Sequence, residues 1–217
     1  MPNKNNLKDI FSISIPTTIS RLLGNIGYFF EPIIITNILL YLGYSNNYIT
    51  YNYGIINGYV LSLLMLPSFF TMAISQAIIP VISKSYSNND IKNTKKKIKQ
   101  GIFFSLLIGI PISIVFLVIP DVLLKLIYNT TEGINYIRIL SLFFLLQYIS
   151  IPLSSSLQAM GKANIVMKGT LINIILKSLV LIIGLLLIGI WGLILSLIFG
   201  IVFSTLYSYY YIKKEIV

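Results

Sequence analysis

The 217-residue chain contains no cysteine and no histidine. Without cysteine there can be no disulfide framework, no thiolate metal site and no thiol nucleophile. Without histidine the commonest metal ligand and general base is gone. Acidic side chains number six, too few and too scattered to furnish paired catalytic carboxylates. An enzyme is therefore the least favoured class, and neither a cofactor nor a metal is expected. Charged residues of both signs make up 10% of the chain, against about 25% in a soluble globular domain.

What is present is apolar surface. Hydrophobic residues make up 56% of the chain and mean hydropathy is +0.87, values that define an integral membrane protein. Runs of this length in lipid must satisfy their own backbone polar groups as helices, so the expected fold is an all-α six-helix bundle. The spans are predicted at residues 10–40, 53–83, 102–120, 134–158, 165–188 and 192–212, forming a single lobe over residues 1–217. Run 53–83 would measure about 46 Å as a straight helix, longer than a bilayer core, and is expected to kink at Pro67 and project from the membrane. The tyrosine-rich stretch 41–53 reads as a loop at headgroup level. Residues 84–100, with six lysines and one aspartate, read as a basic cytoplasmic linker leading into the opening turns of the third helix. DVLLKLIYNTTEG, after Pro120, reads as a short interfacial helix and turn.

The net charge of +10 does not imply nucleic acid, because the lysines sit between apolar runs, where they set topology and meet anionic lipid. With six spans, one side collects twelve lysines (Lys4, Lys8, six in 84–100, Lys162, Lys168, Lys213 and Lys214), while the other has Lys125, with Arg138 at its boundary. The positive-inside rule then predicts that both termini are cytoplasmic. The opening MPNKNNLKD has no cleavage signature behind it, and an uncleaved start is expected.

Charges inside the spans are the functional candidates, since one at mid-bilayer costs at least about 2.5 to 3.5 kcal/mol and is usually turned toward protein or water. In span one, Arg21, Gly24, Asn25, Tyr28 and Glu31 share a stripe about 120° wide, with Arg21 and Glu31 about 15 Å apart along the axis. Arg21 could instead mark the membrane entry, if the span runs from Leu22 to Leu40 with residues 10–20 on the surface. In span four, Gln147, Ser150, Ser154 and Gln158 make a second polar stripe, although small hydroxyls in membranes more often serve helix packing. In span five, Gly169, Asn173 and Lys177 follow at i, i+4 and i+8. For Lys177 a cavity-facing position is favoured over snorkelling or neutrality. Pro16, Pro32, Pro67 and Pro152 interrupt backbone hydrogen bonding and are candidate hinges.

IPTTISRLLGNIGYFFEPIII (15–35), YGIINGYVLSLLMLPSFFTMAISQAIIPVISKSYSNND (53–90) and IPLSSSLQAMGKANI (151–165) resemble the second half of the stage V sporulation protein B and polysaccharide-export branch of the MOP flippase superfamily, which also contains the lipid II flippase and the MATE exporters. The resemblance implies a two-lobed carrier of twelve to fourteen helices that moves undecaprenyl-diphosphate-linked sugars, in some members for spore cortex peptidoglycan. This chain matches one lobe only, so a missing N-terminal lobe or a second copy is expected as partner. On this resemblance, Arg21, Asn25, Glu31, Gln147, Asn173 and Lys177 are the expected substrate-binding set in a cell-membrane flippase. Glu31 stands as either a partner for a cation from a neighbouring helix or a coupling-ion site. Two other readings compete: a non-transporting scaffold for cell-wall synthesis, acting through the basic loop, and a MATE-type drug or cation exporter half, which would need an acidic cavity.

Overall fold

The computed structural model describes residues 4–216, with side chains described from Ser14 onward. The side chains of Lys4, Lys8 and Ile10, the last being the expected start of the first span, are outside those described, although all three residues are in α1. α1 (Lys4–Tyr41) runs unbroken through Pro16 and Pro32, and its apolar span is Ser14–Tyr41.

The stretch expected as a headgroup loop is instead mostly helix. α2 (Asn46–Gly54) starts where the Ser45 hydroxyl accepts from the Tyr48 N–H, satisfying one of the free donors of a helix start. It passes into a π-helical turn (Ile55–Leu61) and then α3 (Ser62–Met65). α4 (Ser68–Ser87) follows after a bend of 46°.

The bend falls where the sequence places it, because Pro67 has no N–H to give the Leu63 carbonyl and the Leu66 N–H takes that acceptor at 3.2 Å. One turn away, the buried Tyr148 hydroxyl donates to the Leu64 carbonyl at 2.7 Å. Tyr148→Phe is expected to lower stability by about 1 to 3 kcal/mol, since it strands a buried acceptor. A thermal midpoint unchanged in detergent would contradict this role.

The basic segment is also more helical than expected. Lys84 closes α4, while Lys92, Lys95, Lys96, Lys97 and Lys99 all ride on α5 (Ile91–Val118), leaving only Asn88–Asp90 as connection. Lysine is a good helix former, and Asp90 starts the helix by accepting from the Asn93 N–H at 3.0 Å. The short α6 (Pro120–Tyr128) supplies the helix expected after Pro120 and ends at Asn129, in the left-handed conformation. α7 (Ile134–Ala159), α8 (Ala163–Ile188) and α9 (Trp191–Ile216) complete the chain. Among the described residues, five helices are long and apolar enough to cross a membrane, and the bent pair Asn46–Met65 plus Ser68–Ser87, taken as one span, makes the sixth.

Helix contact rests on small residues. At the α8–α9 hairpin, a Cβ added to Gly192 would sit 2.2 Å from the Gly184 carbonyl carbon, so only glycine allows the backbones to approach this closely. α7 and α9 are stitched by hydroxyls: Ser150 to Ser204 at 3.2 Å, Ser154 to Ser208 at 3.4 Å, and Thr205 to the Leu146 carbonyl at 3.1 Å. The serines of the polar stripe in span four therefore pack helices.

The two ends of the bundle differ in charge. At one end the Lys162 ammonium meets the Glu215 carboxylate at 2.9 Å, and the Tyr86 hydroxyl donates to the same carboxylate at 3.2 Å, gathering the ends of α4 and α9 at the start of α8. The hydrogen bond to Glu215 holds the Lys162 ammonium above the usual lysine range. Lys84, the α5 lysines, Lys168, Lys213 and Lys214 belong to this end. At the other end Tyr44 covers Gly189, and Tyr136 packs edge-on to Trp191 with ring centroids 4.8 Å apart.

Candidate functional site

α1 lies against α8, and both helices bring polar side chains to their seam. On α1 these are Tyr28 and Glu31, with Gly24 and Gly27 leaving room between them; on α8 they are Thr170, Asn173, Lys177 and Ser178, and together they line a cavity of about 190 Å³. The spacing Thr170, Asn173, Lys177 is one helix face.

Inside the seam the Lys177 ammonium contacts the Glu31 carboxylate at 2.5 Å. Glu31 is 5% exposed and the Lys177 side chain 23%. Removal of either charge from water is expensive, and the two offset each other at contact distance. The ammonium also stands 5.7 Å from the centre of the Tyr28 ring, within cation–π range. The stem of Lys177 packs against Gly200 on α9, where a Cβ would lie 3.4 Å from the Lys177 Cδ. Beside the pair, the buried Asn173 Oδ1 has no hydrogen-bond donor among the described residues.

A second cavity of about 190 Å³ opens on the other side of Lys177, toward the bend, and shares Tyr28, Asn173 and Lys177 with the first while adding Gln147, Phe144 and Ser204. Lys177 is thus the partition between two hollows.

Four of the six residues singled out from sequence come together here: Glu31, Gln147, Asn173 and Lys177. Arg21 and Asn25 do not, for both are on the exposed surface of α1 and line neither cavity. Lys177 therefore shares its site with a carboxylate and not with Arg21. Of the two readings open for Glu31, the geometry gives it the lysine of a neighbouring helix. Of the four prolines, Pro67 sits at the bent break, whereas Pro16, Pro32 and Pro152 lie within unbroken helices. Tyr28, although on the charged stripe, and Thr170, Ser178, Gly200 and Ser204 were not picked out as site residues; only the i, i+3, i+7 and i, i+4 spacings along α8 and α9 signal them.

A six-span helical lobe with a buried ion pair on the seam between its first and fifth spans belongs architecturally with membrane transporters. In the crystal structure of MATE in the bent conformation, 47% of the chain superposes on all of this one, with a TM-score of 0.85 at 16% identity, which establishes the fold. The chain belongs to the MatE family, whose model matches residues 56–183. It is similar to stage V sporulation protein B of Bacillus subtilis (strain 168), 33% identical over 175 residues that cover 81% of this chain and 34% of that protein. It is also similar to the capsular polysaccharide biosynthesis protein CapF of Staphylococcus aureus, 28% identical over 167 residues, 76% of this chain and 40% of that one. The chain thus spans between a third and two-fifths of these relatives.

Proposed function

We propose that this chain is one lobe of a two-lobed carrier in the bacterial cytoplasmic membrane that moves an undecaprenyl-diphosphate-linked oligosaccharide by alternating access. The observation that carries this reading is the Glu31–Lys177 pair, set between two hollows deep in the lobe. A diphosphate headgroup is anionic and can compete with Glu31 for the Lys177 ammonium in a place of low dielectric, while the prenyl tail stays in lipid. In the resting state the carboxylate holds the ammonium, so no lone charge is left buried when the substrate departs.

Arg21, on the open face of α1, supplies a planar fork suited to phosphate, and that face is directed to the partner lobe, either an N-terminal half or a second copy. Asn25, Gln147 and Asn173 supply neutral hydrogen bonds to the sugar diphosphate, and Pro67, at the existing bend, serves as the bending point. The lysine-rich end is cytoplasmic, with both termini there, and its α5 lysines rest against anionic lipid headgroups. The sporulation and capsule relatives support this substrate class; a carboxylate already engaged by lysine favours an anionic cargo over the cationic one of an exporter.

In the intact two-lobed carrier, Arg21→Ala is expected to lower flipping of the lipid-linked sugar at least about 10-fold, the loss of roughly one charge-assisted contact. Charge reversal at Lys95, Lys96, Lys97 and Lys99 should leave the per-molecule rate nearly unchanged. The opposite pattern, full activity without Arg21 and none after lysine reversal, would establish the scaffold reading instead.

A further inference from the structure

At the end of the bundle away from the lysines, two adjoining clefts of about 430 Å³ each share Tyr51, Ile55 and Glu132. Both volumes fall in the range of small-molecule sites, about 300 to 1,000 Å³. Glu132 is placed by the turn between α6 and α7, which has left-handed residues at either end, Asn129 with φ 52° and Gly133 with φ 89°. Within it the Glu132 N–H donates to the Thr130 hydroxyl at 3.2 Å. The turn is pressed onto the π-helical turn, where a Cβ at Gly133 would stand 2.7 Å from the Val60 Cγ2 and 3.0 Å from the Ile55 Cγ2. Local π turns are frequent at functional sites, and this one lends Ile55 to both clefts. Each cleft has its own aromatic wall. In the first it is Tyr59, backed by Tyr128 with ring centroids 4.9 Å apart; in the second it is Tyr136 with Trp191. Rings already ordered by packing lose little freedom when a ligand lies on them.

The polar groups separate the ligand classes. Among the described residues Glu132 forms no ion pair, so an unneutralised carboxylate at the junction of the clefts disfavours an anion. Thr130 in the first cleft and Asn52 and Asn135 in the second are neutral and spread along its length. An ammonium would engage the carboxylate at one point and leave these groups unused. A sugar chain uses all of them: its hydroxyls donate to the carboxylate and pair with the amides, while the C–H face of each ring lies on an aromatic π face. We infer that the double cleft is a saccharide site for two adjacent neutral sugar rings, one in each cleft, with Glu132 accepting from hydroxyls near the link. This rests on the carrier reading above, in which the sugars emerge at this end, and it adds where they are held after the diphosphate has left Lys177.

Trp191 is the one tryptophan of the chain, so its fluorescence reports on the second cleft directly. The probe is the soluble disaccharide N,N′-diacetylchitobiose, titrated into the purified full chain in detergent beside glycerol and tetramethylammonium chloride. The disaccharide should give a saturable change with a dissociation constant on the order of 1 to 10 mM, and the other two solutes none. Glu132→Gln and Tyr51→Ala should each weaken binding at least about 10-fold, the share of one hydrogen bond to a charged group or of one ring contact. Tyr51 is 56% exposed, so its removal spares the fold. Tyr209→Ala, equally exposed at the lysine-rich end, should bind as the wild type does. A flat response to the disaccharide, an equal response to tetramethylammonium, or unaltered binding by Glu132→Gln and Tyr51→Ala would each overturn the inference. Arg21 lines neither cleft, and Arg21→Ala should keep the full disaccharide response. An intact carrier that flips at full rate without Arg21, in a chain whose Trp191 still answers to the disaccharide, would remove the carrier reading and leave the saccharide site standing.

Discussion

Lys177→Met is expected to destabilise the protein by about 3 to 5 kcal/mol, the loss seen when one member of a buried pair is removed and the other is left charged. Adding Glu31→Gln should return most of that loss, because the buried carboxylate's uncompensated charge disappears with it. The two single losses therefore should not sum. Denaturant unfolding of the wild type, both single variants and the double variant closes the cycle. Additive losses would mean that the 2.5 Å contact between Glu31 and Lys177 carries no coupling. Because the paired and the neutralised seams are both tolerable and only the half-charged one is not, the cycle separates the worth of the pair from the penalty of a lone charge.

Gly192→Ala should have a comparable or larger effect, from a different cause. The added Cβ would stand 2.2 Å from the carbonyl carbon of Gly184 and 2.3 Å from the Leu185 nitrogen. Both obstacles are backbone, so no rotamer change relieves them, and α8 and α9 must part. Overpacking of flexible neighbours typically costs about 1 to 3 kcal/mol; here the loss should exceed that range and reduce the yield of folded protein in the membrane. Gly54→Ala is the control, since a Cβ there meets nothing within 4 Å and alanine is the better helix former. Size-exclusion profiles of the two variants from equal quantities of membrane make the comparison. Equal monodisperse yield would show that the hairpin opens at little cost.

The spans were legible because hydropathy reports burial in lipid directly, and Pro67 marked the bend because a missing N–H is written in the sequence. What misled was polarity taken as a sign of loop. Asn46–Gly54 is tyrosine- and asparagine-rich yet helical, since Ser45 caps it and the chain continues into the apolar π turn at Ile55–Leu61. Residues 84–100 read as a linker leading into the opening turns of the third helix, and those turns take up more of the segment than expected, because the helix propensity of lysine and the Asp90 cap put Lys92 to Lys99 all on α5. The π turn itself has no signal in residue spacing.

At the site, a charge inside an apolar run was enough to single out Glu31 and Lys177. That they meet is a property of two helices 146 residues apart in sequence, and spacing along one helix says nothing of it. The same limit applies to Arg21: helical angle put it on the stripe with Glu31, but not at a depth where α8 covers it.

The hydroxyl bond from Tyr148 to the carbonyl of Leu64 makes two distant geometries a single variable. Any movement of the elbow at Pro67 that shifts the Leu64 carbonyl must break this bond or carry α7 with it. Tyr148 is also pressed against Gly109, where a Cβ would stand 2.7 Å from its ring, and a sliding α7 must drag α5 or lose that contact. The elbow at Pro67 is thus tied to two neighbours at once, to α7 by a hydrogen bond and through the same ring to α5 by close packing.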